Sequence, residues 1–132
     1  MNDRIMWLKV SFLTGAIVDA VAAVMLMFPA LYARFYQWPS LDFTHEVRST
    51  AGAGAALMGG WTALLIWANR KPLERKGVLA LTVFPVLVGL MINRGLNVAS
   101  GFASPATAAP GLALQTALLF LFSFSYWSAS WD

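Results

Sequence analysis

Long apolar stretches alternate with short polar segments along the chain, and this pattern predicts membrane-spanning helices. Four blocks, at about residues 5–28, 43–69, 77–98 and 111–128, are apolar almost throughout. A hydrocarbon core about 30 Å thick needs roughly 20 residues of helix, and each block is long enough to cross it. The sequence therefore predicts an all-α integral membrane protein, a four-transmembrane-helix bundle that forms a single domain over residues 1–132.

Prolines mark the predicted interruptions of these helices. Pro29 cannot continue a helical hydrogen-bond ladder, so the first helix is expected to end just before it. Pro85 lies inside the third block and predicts a kink there, because its ring removes a backbone donor. Residues 31–39 are rich in aromatic side chains, which predicts a short segment at the membrane interface. Residues 99–110 contain Ser, Gly, Thr and two prolines, which predicts a loop.

The second block carries a stripe of small residues. Gly52, Ala56 and Gly60 recur at every fourth position, a spacing that lets two helix backbones approach closely. The sequence leaves open which surface meets this stripe. It could be another helix of the same chain, or a second copy of the chain in a homo-oligomer.

The charged residues predict an orientation in the membrane. The chain is 59% hydrophobic and 11% charged, with a formal net charge of +3. Lys and Arg are concentrated at residues 69–76, and short loops rich in these residues stay on the cytoplasmic side. We therefore expect a multi-pass protein of the cell inner membrane with both termini in the cytoplasm. No basic stripe with interleaved aromatic residues is present, so nucleic acid is not an expected partner.

Polar residues inside the apolar blocks are the candidates for function. Asp19 interrupts the first block, and a carboxyl group inside a membrane is costly enough to be a functional-site candidate by default. With four spans and cytoplasmic termini, the other intramembrane polar residues fall in the same outer half of the membrane as Asp19. We expect Asp19 and these residues to form an outward-facing ligand-binding pocket. The other residues of the pocket are His45, Arg48, Asn93, Arg94, Asn97 and Gln115.

Arg94 is the expected partner of Asp19, and Arg48 is the second choice. Helical side chains lean towards the N-terminus of their helix, so Arg94 should lean down towards the level of Asp19. In a competing interpretation, both arginines extend to the interface and Asp19 forms one hydrogen bond that holds two helices together. Polar contacts of that kind contribute only about 0.6 kcal/mol on average.

Metal and cofactor sites are not indicated by the sequence. The chain has one histidine and no cysteine, so no metal site is expected and a pair of axial haem ligands cannot come from one chain. A single histidine near a membrane interface, such as His45, is usually solvated. The sequence identifies no cofactor.

Three functions fit this pattern. The first is a small polytopic membrane protein whose polar pocket binds or carries a small amphipathic or anionic molecule. The second is a small membrane enzyme that acts on a lipid-like substrate, with Asp19 as its catalytic acid or base. The third is a structural or assembly subunit of a membrane complex. Because no catalytic motif accompanies Asp19, the sequence favours the first and leaves open whether the chain is an enzyme.

Overall fold

The computed structural model describes residues 3–35 and 44–131, and these residues form a helical bundle. A kinked segment at Thr82–Leu87 joins two of the helices. In the described part of the chain, four helical stretches are long and apolar enough to cross a membrane, which confirms the predicted all-α bundle. The helices are α1 (Asp3–Met27), α2 (Pro29–Phe35), α3 (His45–Asn69), α4 (Gly77–Leu81), α5 (Val88–Ala99) and α6 (Pro105–Ser128).

The third span is kinked near Pro85, as predicted. Phe84 has a φ of −132° and a ψ of 113°, which are extended rather than helical values. Proline disfavours the helical conformation in the residue before it, so the break falls at Phe84. The kink separates two differently packed helices: α4 contains the fully buried Leu79, whereas no residue of α5 is buried.

The start of the fourth span corrects the prediction. Residues 99–110 were expected to be a loop, with the helix beginning near residue 111, but α6 begins at Pro105. The Ser104 hydroxyl accepts a hydrogen bond of 3.1 Å from the Thr107 backbone N–H. Proline suits the first position of a helix, because the N–H that it lacks would have no partner there. The cap and the proline together extend the helix over residues 105–110.

Two other predicted segments lie partly outside the described residues. The aromatic segment predicted at residues 31–39 is described as far as Phe35, and this part is helical in α2. The predicted second span began at residue 43, which is not described. In the described residues, α3 begins at His45, and the Thr44 hydroxyl accepts a hydrogen bond of 3.3 Å from the Val47 N–H.

Close packing is concentrated at one end of the bundle, which we call the packed half. It comprises residues 4–16 of α1, 61–69 of α3, 77–82 and 119–129, and Leu87 and Leu118 lie at its border with the rest of the bundle. Its centre is a cluster of fully or almost fully buried side chains, and α1 contacts both α3 and α6 around it. The largest buried apolar side chains are Leu8, Phe12, Leu65, Leu79 and Phe122.

Two small residues of α1 allow this close packing. A Cβ atom at Gly15 would lie 2.9 Å from Cζ of Phe122 and 3.1 Å from Cδ1 of Leu65, so only glycine fits there without displacement. The Ser11 and Ser125 hydroxyls are 2.7 Å apart and fully buried. Ser125 donates to the Trp7 carbonyl at 3.2 Å, so Ser11 donates to Ser125. These contacts join α1 to α6.

The basic turn at residues 70–76 lies at the same end of the bundle. Lys76 Nζ donates a hydrogen bond of 3.0 Å to the Ala129 carbonyl, which ties the turn to the end of α6. The Arg75 guanidinium stacks over the Trp67 ring, 3.5 Å from its centroid. The end of α3, the turn and the end of α6 therefore form one continuous surface.

Candidate functional site

The other half of the bundle contains a cavity of about 470 Å³, which we call the polar cavity. This volume is within the roughly 300–1,000 Å³ of small-molecule sites. The cavity lies between α1 on one side and α5 and α6 on the other, while Tyr32 of α2 and Met58 of α3 contribute to its wall. Because α5 follows the break at Phe84, the kink lets it diverge from the direction of α4 in the packed half. The kinked span thus separates a packed region from an open one.

Five of the seven predicted site residues line the polar cavity. They come from three helices, α1, α5 and α6, and most of the remaining wall is apolar. An apolar pocket with a few convergent polar groups is the usual arrangement of a small-molecule site. The structure thus brings these five together, and their role in binding stays a prediction. They are Asp19, Asn93, Arg94, Asn97 and Gln115.

His45 and Arg48 are not brought to this cavity. Both are exposed in the first turn of α3, and neither is among the residues that line the cavity. The α3 residue in its wall is Met58, which lies more than two turns further along the helix. The expected second partner of Asp19 is therefore on a different surface.

The polar side chains of the cavity lie at different depths below the helix ends. At about 1.5 Å per residue, Asp19 lies about 12 Å from the end of α1, and Gln115 lies about 15 Å from the start of α6. Arg94 is only about 8 Å from the end of α5 on the same scale. The carboxyl and amide groups of Asp19 and Gln115 thus belong to the deeper part of the cavity.

Two oxygen atoms at this depth are buried acceptors without a donor. Oδ2 of Asp19 and Oε1 of Gln115 accept no hydrogen bond from any residue that the structure describes. The Gln115 side chain is deeply enclosed, since the residue is only 8% exposed. A buried polar group without a partner costs about 1–3 kcal/mol. A ligand that donates hydrogen bonds at this point would recover that energy.

Arg94 is seated against the backbone of α6. A Cβ atom at Gly111 would overlap the guanidinium group, so the absence of a side chain there makes room for Arg94. Sequence reasoning missed Gly111, although one signal was available. Gly111 lies four residues, about one turn, before Gln115 and therefore shares its helix face. Arg94 and Asp19 line the same cavity, and a direct ion pair between them stays a prediction.

Comparisons with protein-family models, with curated proteins and with solved structures find no match for this chain.

Proposed function

We propose that this chain is a membrane protein that binds or carries a small amphipathic or anionic molecule in the polar cavity. One observation carries the proposal: five polar side chains from three helices converge on a single cavity with mostly apolar walls. Ionisable residues within membrane spans usually mark ligand or ion sites, because their burial is otherwise costly. The cavity supplies both parts that an amphipathic molecule requires, apolar walls for its body and polar groups for its head.

The unpartnered acceptors support ligand binding over a purely structural role. If Asp19 and Gln115 only joined helices, their buried oxygens would accept hydrogen bonds from neighbouring helices. Oδ2 of Asp19 and Oε1 of Gln115 accept none within the described residues. The cavity wall, over the same residues, has one carboxyl group and no histidine, which supports binding more than acid–base catalysis.

A retained ligand is the direct test of this proposal. Protein extracted from its membrane in a mild detergent should carry a small molecule that native mass spectrometry detects as an added mass. Asp19→Asn and Arg94→Gln remove charges from the cavity wall and should reduce the bound fraction several-fold, since hydrogen bonds to charged groups contribute about 1.5–3 kcal/mol. Arg48→Gln is the matched control, because Arg48 lies outside the cavity. Equal retention in all three variants would refute the proposal.

We also propose that the packed half faces the cytoplasm of a cell with an inner membrane. The basic turn at residues 70–76 and the end of α6 lie together, which supports a common side for both. A membrane-impermeant maleimide added to whole cells should label Ser104→Cys and leave Ser130→Cys unlabelled until the cells are opened. The reverse pattern would show that the cavity opens to the cytoplasm.

Assembly through α3 is the second candidate function. A Cβ atom at Gly52 or Gly60 would meet nothing within 4 Å, so the small-residue stripe faces away from the other described helices. A stripe of this spacing suits close contact with a second copy of the chain. Gly60→Leu should then convert a dimer to a monomer in cross-linking experiments without changing the thermal stability of the monomer. An unchanged oligomeric state would exclude this surface as the interface.

A further inference from the structure

We infer that the polar cavity selects a single-chain lipid whose head group is uncharged and carries hydroxyl groups, such as a fatty acyl ester of glycerol. This inference rests on the proposed function, and it names the class of ligand. It follows from three properties of the cavity: its unpartnered acceptors, the balance of its charges and its volume.

The acceptors require donors on the ligand. Oδ2 of Asp19 and Oε1 of Gln115 are buried, and neither accepts a hydrogen bond from the described chain. A hydroxyl group donates one hydrogen bond and can accept others, so a head with two hydroxyls can donate to both oxygens. A carboxylate or a fully ionised phosphate has only acceptors and would leave both oxygens unpaired.

The charges in the cavity also disfavour an ionic head. The described residues of the wall include one acid, Asp19, and one permanent cation, Arg94. An anionic head that approaches Arg94 is opposed by an ionised Asp19, and a cationic head that approaches Asp19 is opposed by Arg94. A neutral head avoids both repulsions. Its ester carbonyl can accept a hydrogen bond from Arg94, or from an amide of Asn93 or Asn97, all of which are donors in the same wall.

The size and lining of the cavity fit one hydrocarbon chain. A volume of about 470 Å³ is in the lower part of the range for small-molecule sites. Leucines surround the polar groups at and below the depth of Gln115, where they can contact methylene groups: Leu87, Leu90, Leu114 and Leu118. Most of the wall is apolar, as a ligand with one polar end and one long apolar chain requires.

Three probes with the same hydrocarbon chain test the head-group preference. The protein is placed in phosphatidylcholine nanodiscs with equal amounts of monododecanoylglycerol, dodecanoate and dodecylammonium, and native mass spectrometry gives the bound fraction of each. We expect the glycerol ester to bind about tenfold more tightly than dodecanoate, which corresponds to one recovered buried hydrogen bond. We also expect it to bind more tightly than dodecylammonium, whose charge Arg94 repels. Tighter binding of dodecanoate or dodecylammonium would overturn this inference and leave the proposed function intact. If none of the three binds, the proposed function fails with it.

A matched pair of α6 variants locates the effect. Gln115→Leu removes the buried acceptor and should weaken binding of the glycerol ester about tenfold, with little change for dodecanoate. Thr116→Val is the control, because Thr116 hydrogen bonds the Leu112 carbonyl of its own helix and lies outside the cavity wall. Equal loss in both variants, or no loss in Gln115→Leu, would overturn the inference. The ranking of the probes on the unmodified protein decides the question independently if Gln115→Leu does not fold.

Discussion

Gly15→Leu is expected to destabilise the bundle by about 3 kcal/mol, at the upper end of the usual cost of overpacking. The new side chain would begin 2.9 Å from the Phe122 ring and 3.1 Å from Leu65. Both neighbours are almost completely buried. The bundle must therefore separate α1 from α6, or strain both side chains. Thermal unfolding followed by circular dichroism in detergent measures the effect.

Gly59→Leu is the matched control for this prediction. It makes the same substitution within a membrane-spanning helix, but a Cβ atom at Gly59 would meet nothing within 4 Å. We expect a change in unfolding free energy within about 0.5 kcal/mol, as for other exposed positions. Equal destabilisation by the two variants would contradict the packing of α1 against α6.

Gly111→Ala is expected to preserve the fold and remove most of the ligand binding. The added methyl group would overlap the Arg94 guanidinium, which lies at the end of a long, flexible side chain and would have to move away from Gly111. The charge of the protein and the composition of the cavity wall remain nearly the same. The variant would lose the hydrogen bond between the Arg94 guanidinium and the ligand. A hydrogen bond to a charged group contributes about 1.5–3 kcal/mol, so its loss corresponds to roughly a tenfold to hundredfold loss of affinity for the ligand.

Gly95→Ala is the control for the cavity variant. Gly95 is the neighbour of Arg94 in α5, but a Cβ atom there would meet nothing within 4 Å. Both alanine variants should unfold within a few degrees of the unmodified protein, and only Gly111→Ala should lose bound ligand in native mass spectra. A loss of stability in Gly111→Ala comparable to that in Gly15→Leu would show that Gly111 has a packing role instead.

The architecture could be predicted from the sequence because it depends on properties of single segments. The four apolar blocks, the helix end before Pro29 and the kink at Pro85 depend on local sequence, and the structure agrees with them except at the start of the fourth block. The start of α6 also depends on a local signal in the sequence. Ser104 followed by Pro105 is a typical capping pair, but the prediction used only the loop-like composition of residues 99–110.

The set of residues that lines the cavity was only partly predictable. The position of a residue in the sequence indicates its depth along a helix more firmly than the side of the helix that faces the bundle interior. Helix length and topology put His45, Arg48 and Asn97 near the same end of the bundle. Which face of α3 turns inward depends on packing against α1, and this leaves His45 and Arg48 exposed. Gly52 illustrates the same limit: its spacing with Ala56 and Gly60 indicated a contact surface, yet the described part of the chain leaves it open.

The division into two halves explains how a small chain can combine stability with a binding cavity. Apolar burial and the Ser11–Ser125 hydrogen bond hold the packed half together. The other half needs only to hold its helices apart, and the break at Phe84 gives α5 a direction of its own. Variants in the two halves should therefore have separable effects, on unfolding in one and on ligand retention in the other.

A photocrosslinking map tests whether the polar cavity holds the ligand. A glycerol ester with a diazirine in its acyl chain is irradiated with the protein in nanodiscs, and the labelled residues are identified by peptide mass spectrometry. We expect labels on the wall of the polar cavity, at Leu90, Leu114 and their neighbours, and we expect these labels to disappear in Gly111→Ala. Labels confined to outward-facing positions such as Leu57 and Phe120, with the same intensity in Gly111→Ala, would contradict it.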